Sequence, residues 1–335
     1  SSSAASDVYK RQVYAYRSLV DFHRTSTSGG AFTQLAMNFF AQGGDVVYGV
    51  VLDENLAVRH QRACTLSDCE KFKKSKYVQS DLRGIFQSVT TDISKNLKVL
   101  FTGTPCQINA LYTYLDKLHL PHGQVYTIDV ICNGAPSAKV WTDYTSWLEK
   151  KVGKKLIGFG FREKGDPYNP YQTKAVFADG SVLVDTPETA CYNRLFLKKL
   201  IIPKKCFGCL FKREERVSDI TLGDFWGCED IFSDTRLHSG VSLVLINSEK
   251  GARLFADKKS DKNAIVERCI DKSYLKYQGN LRQVTPPPTG YDDFWTCYKN
   301  KGFGYVANKY ADSDFPRSLK YRMRHYYRLL KHRLK

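Results

Sequence analysis

Apolar positions along the chain switch repeatedly between the helical and the strand period. After Thr25-Ser26-Thr27-Ser28-Gly29-Gly30, residues Phe32, Leu35, Ala36, Phe39 and Phe40 recur at helical spacing until Gly43-Gly44 ends the run. Residues 45–52 (DVVYGVVL) then read as a strand. Two further strand–turn–helix units follow. In the first, a strand over 98–102 leads through Gly103-Thr104-Pro105-Cys106 into a helix ending at Leu118. In the second, a strand over 125–132 leads through Asn133-Gly134-Ala135-Pro136 into a helix over 137–151. This alternation predicts an α/β fold whose N-terminal part, residues 13–152, is a mostly parallel sheet with flanking helices. Such sheets take ligands beyond the carboxyl ends of their strands. Cys106 and Cys132 both fall at that edge.

From about Leu156 the pattern changes. Residues 157–162 and 173–184 read as strands, the second folded at Ala178-Asp179-Gly180-Ser181, a hairpin signal. Residues 219–226 (DITLGDFW) and 241–247 (VSLVLIN) are strand-like as well. A second, α+β domain over 153–282 is expected, carrying the segment Pro-Lys-Lys-Cys-Phe-Gly-Cys. Residues 283–290, with three consecutive prolines, break regular structure. The first dozen residues are small and polar and are set aside as a leader or the scar of a truncated start.

Charge and cysteine content narrow the function classes. The chain carries 51 Lys and Arg against 34 Asp and Glu, a formal charge of +17. Part of the excess is local, since residues 315–335 hold eight cations and no acid. That tail reads as a basic amphipathic helix, a candidate for weak contact with a membrane surface or an acidic partner, with a solvated terminal helix as the plainer reading. A basic body suits a dinucleotide, a phosphorylated coenzyme or an acidic partner. No nucleic-acid motif accompanies the charge. No apolar run is long enough to span a bilayer and no signal peptide is visible, so a cytoplasmic location is expected. Ten cysteines in that setting point to metal ligation or catalysis rather than disulfides.

Cys206 and Cys209 form a Cys-x-x-Cys pair, which brings two thiols to one side of a turn. Thiolates are soft ligands, suited to zinc or to iron–sulfur clusters, and Lys204, Lys205, Lys212 and Arg213 around the pair favour the thiolate form. No second CxxC is present. Cys106 and Cys132 are the better companions, whereas Cys64 and Cys69 sit in a polar stretch and read as incidental. The plainer reading of Cys132 is a small residue at a strand end. Ser28-Gly29-Gly30 opening a helix could cradle a phosphate, or simply start a helix. Ser75, Lys76 and Tyr77 could clamp a phosphate and stack a ring. Asp224, and the string Phe161-Arg162-Glu163-Lys164, are charged groups at strand ends whose default use is structural.

Eight strings occur in one order: TSTSGGAFTQLA, SKYVQSD, VLFTGTPCQINAL, IDVICNGAPSAKVW, FREK, CFGC, SDITLGDFWG and GVSLVLINSEKG. Together, from about residue 17 to 260, they resemble the β-subunit family of coenzyme F420 hydrogenases and dehydrogenases, and more closely its bacterial branch, related to reductases of a chlorophyll derivative. The resemblance implies a flavoprotein oxidoreductase with FAD and a [4Fe–4S] cluster, passing electrons between a ferredoxin-type carrier and a two-electron small-molecule substrate. It implies a flavin side made of Ser28, Gly29, Gly30, Ser75, Lys76 and Tyr77, with Gly103 and Thr104 in the turn after their strand. It also implies Cys106, Cys132, Cys206 and Cys209 as the cluster ligands, the count such a cluster requires. Two departures stand out. Many bacterial relatives begin with a ferredoxin-like module, expected here to be truncated or supplied as a separate protein. Relatives often have His where Asn133 stands, which leaves no proton-handling role readable there. No proton donor is readable; His23 and Tyr77 are candidates by chemistry alone, and a structural role is the plainer reading of both. The rival readings are a zinc-type cysteine protein without redox function, an accessory of surface-glycan synthesis, and a nucleic-acid-binding module suggested by charge only.

Overall fold

The computed structural model describes residues 11–20, 22–164, 172–237, 240–255 and 263–311. Most of the expected leader and the whole basic tail lie outside the described residues. The strands, in chain order, are β1 (Gln12–Ser18), β2 (Val46–Leu52), β3 (Val58–Ala63), β4 (Val99–Gly103), β5 (Val125–Val130), β6 (Leu156–Glu163), β7 (Gln172–Phe177), β8 (Val182–Val184), β9 (Ile220–Asp224), β10 (Ser242–Ile246) and β11 (Ala264–Cys269). The helices are α1 (Phe22–Thr25), α2 (Ala31–Ala41), α3 (Ile85–Ser94), α4 (Pro105–Lys117), α5 (Ala138–Val152), α6 (Pro187–Leu197), α7 (Glu249–Phe255) and α8 (Tyr291–Ala311).

Eight strands form one sheet in the order β11-β1-β10-β9-β5-β4-β2-β3, and β6-β7-β8 form a second, antiparallel sheet. The centre of the large sheet, β9-β5-β4-β2, is parallel, and its flanks are antiparallel. Strands β9 and β10, which the sequence places on the far side of a domain boundary, complete this sheet. Gln12, set aside with the leader, opens β1 opposite Ile246.

The parallel centre is apolar without alternation because both faces are covered. Val99 and Phe101 of β4 pack under α3 and α4, against Val89, Ile108 and Leu111. Leu100 between them faces the other way, onto Leu35 and Phe39 of α2 and Leu254 of α7. The small sheet packs with α5, α6 and α8 into a separate aromatic core around Trp141, Tyr144, Phe161 and Tyr192. Two helix starts follow β4 and β5, with Cys106 in the first turn of α4 and Cys132 two residues past β5. Thr104 caps α4 in a reciprocal box with Gln107, and Pro105 opens the first turn. Ser137 accepts from the Val140 N–H at the start of α5.

Candidate functional site

Strands β1, β9, β5, β4 and β2 all run in one direction, so their carboxyl ends share one edge of the sheet. Cysteines follow β4 and β5. The Ser28-Gly29-Gly30 turn lies against the end of β1, and Asp224 ends β9. The residues singled out from sequence therefore divide into two groups along a single edge.

At the cysteine end, Cys132 is half-buried just past β5. Burial pushes its thiol up to about 12; the Gly134 N–H, donating to its Sγ at 3.3 Å, opposes that rise, and the thiols of Cys106, Cys206 and Cys209 add to it. All three therefore lie within electrostatic reach of Cys132, although they come from segments up to about a hundred residues apart. All ten cysteines of the chain are free thiols. Among the described residues, no group of three or more His, Cys, Asp or Glu side chains closes around a single metal ion. Gly134 is a backbone necessity: its φ is +118°, and a side chain there would press on Ile202.

A buried polar chain fixes the turn that carries Cys106. The Thr104 N–H donates to Gln107 Oε1 (2.9 Å), and Gln107 Nε2 donates to Ser80 Oγ (2.9 Å). Ser80 lies 3.0 Å from His60 Nδ1, and His60 Nε2 lies 2.9 Å from the Thr102 carbonyl. A carbonyl only accepts, so Nε2 holds the proton and Nδ1 accepts from the Ser80 hydroxyl. Burial pulls the imidazole down to about 4, and it stays neutral. Thr104 Oγ1 sits 3.1 Å from Cys106 Sγ, which is exposed.

The loop carrying Cys206 and Cys209 brings its own charges. Lys204 is exposed and pairs with Asp292 at 2.8 Å. Lys212 is different. It is only 6% exposed, and its Nζ has no hydrogen-bond partner among the described residues. An unpaired buried ammonium is costly unless an anion neutralises it. Lys199 lies within its electrostatic reach, and the four thiols are the soft donor set that an iron–sulfur cluster takes.

The glycine end is a shelf of cations. Gly29 is held between two strands: its N–H donates to Ser242 Oγ (2.9 Å), its carbonyl accepts from Ser18 N–H (2.9 Å), and a Cβ would lie 2.0 Å from the Tyr16 carbonyl. Strand crossing alone thus demands this glycine. Gly30, as the cap of α2, offers no side chain to the first helical N–H groups, and Thr33 Oγ1 in that first turn is buried without a partner among the described residues. Lys164 donates to the carbonyls of Ser28 (2.6 Å) and His23 (2.8 Å), and burial with Arg162 and Arg17 nearby pulls it down to about 8. The Lys76 ammonium donates to the carbonyls of Lys71 and Lys73, and burial with Lys74 beside it pulls it down to about 7. Ser75 N–H donates to Thr27 Oγ1 (3.0 Å), tying this segment to the glycine turn. The Tyr77 ring stacks on Phe196, and its hydroxyl bonds Ser75 and Arg162. Arg162 pairs with Asp224 at 2.5 Å and lies over the exposed ring of Trp226. An uncapped helix start and two partly neutralised lysines suit a phosphate-bearing ligand.

Sequence reasoning named residues of both groups but missed the side chains that support them. His60, Ser80 and Gln107 carried no motif. Asp129, buried in the central strand β5, is a signal legible in the sequence: a charge in such a strand needs a partner, here Arg216 at 2.9 Å. His23 is not free for proton chemistry, since Gly240 O and Lys164 Nζ both lie within 3.2 Å of its Nε2.

The described residues include no helix long and apolar enough to cross a membrane. No curated protein matches the chain. Among solved structures, the fold is similar to a chain of the F420-reducing [NiFe] hydrogenase complex from Methanosarcina barkeri, at 18% identity and a TM-score of 0.52, over 76% of this chain and 81% of that one. Residues 96–272, just over half of the sequence, match the family described as coenzyme F420 hydrogenase/dehydrogenase, C terminus of the beta subunit. That stretch holds all four cysteines of the sheet edge together with Arg162, Lys164 and Asp224, and on it the chain belongs to this family of oxidoreductase subunits.

Proposed function

We propose that the chain is an iron–sulfur flavoprotein that moves electrons between a ferredoxin-type one-electron carrier and a two-electron substrate of the coenzyme F420 type or another small molecule, in the cytoplasm. The observation that carries this reading is that Cys106, Cys206 and Cys209 all lie within electrostatic reach of Cys132, at the same edge as the cation shelf. The four thiolates would hold a [4Fe–4S] cluster, with the Gly134 N–H donating to the sulfur of Cys132. The start of α2 with Lys76 and Lys164 would hold the phosphates of FAD, and Tyr77 and Arg162 would wall the space between the two groups. FAD would supply the exchange between two-electron and one-electron transfer, and the cluster the single-electron relay. The protein's part is position, charge and exclusion of water.

Anaerobic purification tests this directly. Four iron and four acid-labile sulfide per chain, with releasable FAD, are expected. A colourless protein that carries zinc on the same cysteines contradicts it.

A further inference from the structure

We infer that Arg216 and Asp129 form a buried strut that sets the spacing between the two cysteine pairs, which makes them positioning residues for the cluster; this rests on the iron–sulfur reading above. Cys132 hangs from a strand of the sheet. Cys206 and Cys209 ride on a loop that leaves α6 and does not rejoin the sheet until β9 begins at Ile220, with only a short 3-10 turn at Lys204–Cys206 inside it. Beyond Cys209 the chain between residues 210 and 219 has no helix or strand to hold it.

Arg216 ties that stretch down in three directions. Nη1 donates to the carbonyl of Phe211 at 2.7 Å, two residues past Cys209. Nη2 donates to Asp129 Oδ2 at 2.9 Å, three residues before Cys132. Nε donates to Thr221 Oγ1 at 3.2 Å, and Thr221 is the residue paired with Asp129 across β5 and β9. The side chains of Arg216 and Asp129 are 1% and 0% exposed. Burial pushes the Asp129 carboxyl up, and Arg216 with the Thr221 and Ser218 hydroxyls opposes it.

A salt bridge at that depth is a poor device for stability alone, because an apolar pair of similar volume commonly does as well. An apolar pair cannot supply a planar fork that bonds a carboxylate, a hydroxyl and a carbonyl on three separate segments at once. The geometry therefore serves placement. One side chain registers the Cys-x-x-Cys loop against the strand that presents Cys132.

The test uses Arg216→Lys and Asp129→Asn in the full chain, with Arg216→Met as an apolar comparison. Lysine keeps the charge but cannot span the three acceptors. After anaerobic reconstitution, iron and sulfide per chain and the rate of iron removal by a chelator are measured beside the thermal midpoint of the iron-free chain. In the iron-free chains, a bifunctional thiol reagent followed by peptide mass spectrometry reads the cross-link between Cys132 and the 206–209 pair. Arg216→Lys, which keeps the charge pair, is expected to hold a midpoint near that of the parent, whereas Asp129→Asn leaves a buried guanidinium uncompensated and is expected to lower it; both are expected to lose iron about tenfold faster and to cross-link less. Iron release at the parent rate in both variants overturns the inference, as does faster release in Arg216→Lys that merely follows a fall in its midpoint. Failure of Arg216→Met to fold leaves the decision with the other two. If the parent chain takes up no iron, the cluster reading falls; cross-linking that depends on Arg216 then sustains the strut, and cross-linking indifferent to it overturns it.

Discussion

The two ends of the sheet edge are built on opposite plans. At the cysteine end, most of the polar groups behind the thiols are paired, Lys212 Nζ and Asp129 Oδ1 apart: His60, Ser80, Gln107 and the Thr104 N–H form one directed chain of hydrogen bonds, and Arg216 donates to Asp129, Thr221 and Phe211. At the glycine end, Lys76 and Lys164 are held largely by backbone carbonyls and carry displaced pKa values. A fully satisfied network fixes positions and resists change. Ammonium groups whose hydrogen bonds go to neutral acceptors remain able to bind an anion. The contrast suggests a rigid cage for a permanent group beside a shelf for a ligand that is charged and exchangeable.

The strongest way to break this contrast is Gly29→Ala. A Cβ there meets the backbone of Tyr16 at 2.0 Å and of Ser242 at 2.6 Å, neither able to move without opening β1 from β10. We expect a loss of about 3 kcal/mol in chemical denaturation. A loss under about 0.5 kcal/mol would show that the turn is not clamped as described.

Acid tests the other end. His60 titrates near 4 in the folded chain and near 6.5 when unfolded, so the unfolded chain binds more protons in between. Stability contributed by this group is complete above about pH 6.5 and is lost as pH falls toward 4, by roughly 2–3 kcal/mol. His60→Gln should flatten that slope of stability against pH. An unchanged slope would separate His60 from the cysteine turn.

The smallest expected effect concerns Lys164. Its folded pKa, about 8, lies below the unfolded value, so the empty protein gains stability from this group as pH rises from about 8 to 10.5. Anion binding should move the other way, weakening as pH rises through 8 and the ammonium discharges. Lys164→Met should weaken FAD retention by about tenfold, near 1.4 kcal/mol, and remove that pH dependence. Retention equal to the parent's at pH 7 would take Lys164 out of the ligand's reach.

Much of this architecture was legible because it is local. The helix after Gly29-Gly30, the β4–α4 and β5–α5 units and the hairpin at 178–181 each carry their period and their caps in a few consecutive residues. The union of β9 and β10 with the first sheet was not legible, because strand order is decided by pairings between distant segments, such as Ile128 with Ile220 and Tyr14 with Val244. Helix α8 was hidden for another reason: Gly302 breaks it at a φ of +77°, which interrupts any single apolar stripe. Arg216 follows Glu214 and Glu215 and reads as solvated surface. Only the fold turns it inward, onto an acid 87 residues away.

The central claim is that four cysteines from both halves of the chain share one cluster. The measurement that tests it most directly is iron and acid-labile sulfide per chain in Cys132→Ser beside the parent, each reconstituted without oxygen. The account predicts a cluster in the parent and its loss or marked lability in Cys132→Ser, with the iron-free fold intact by circular dichroism. Iron and sulfide unchanged by the substitution would contradict it.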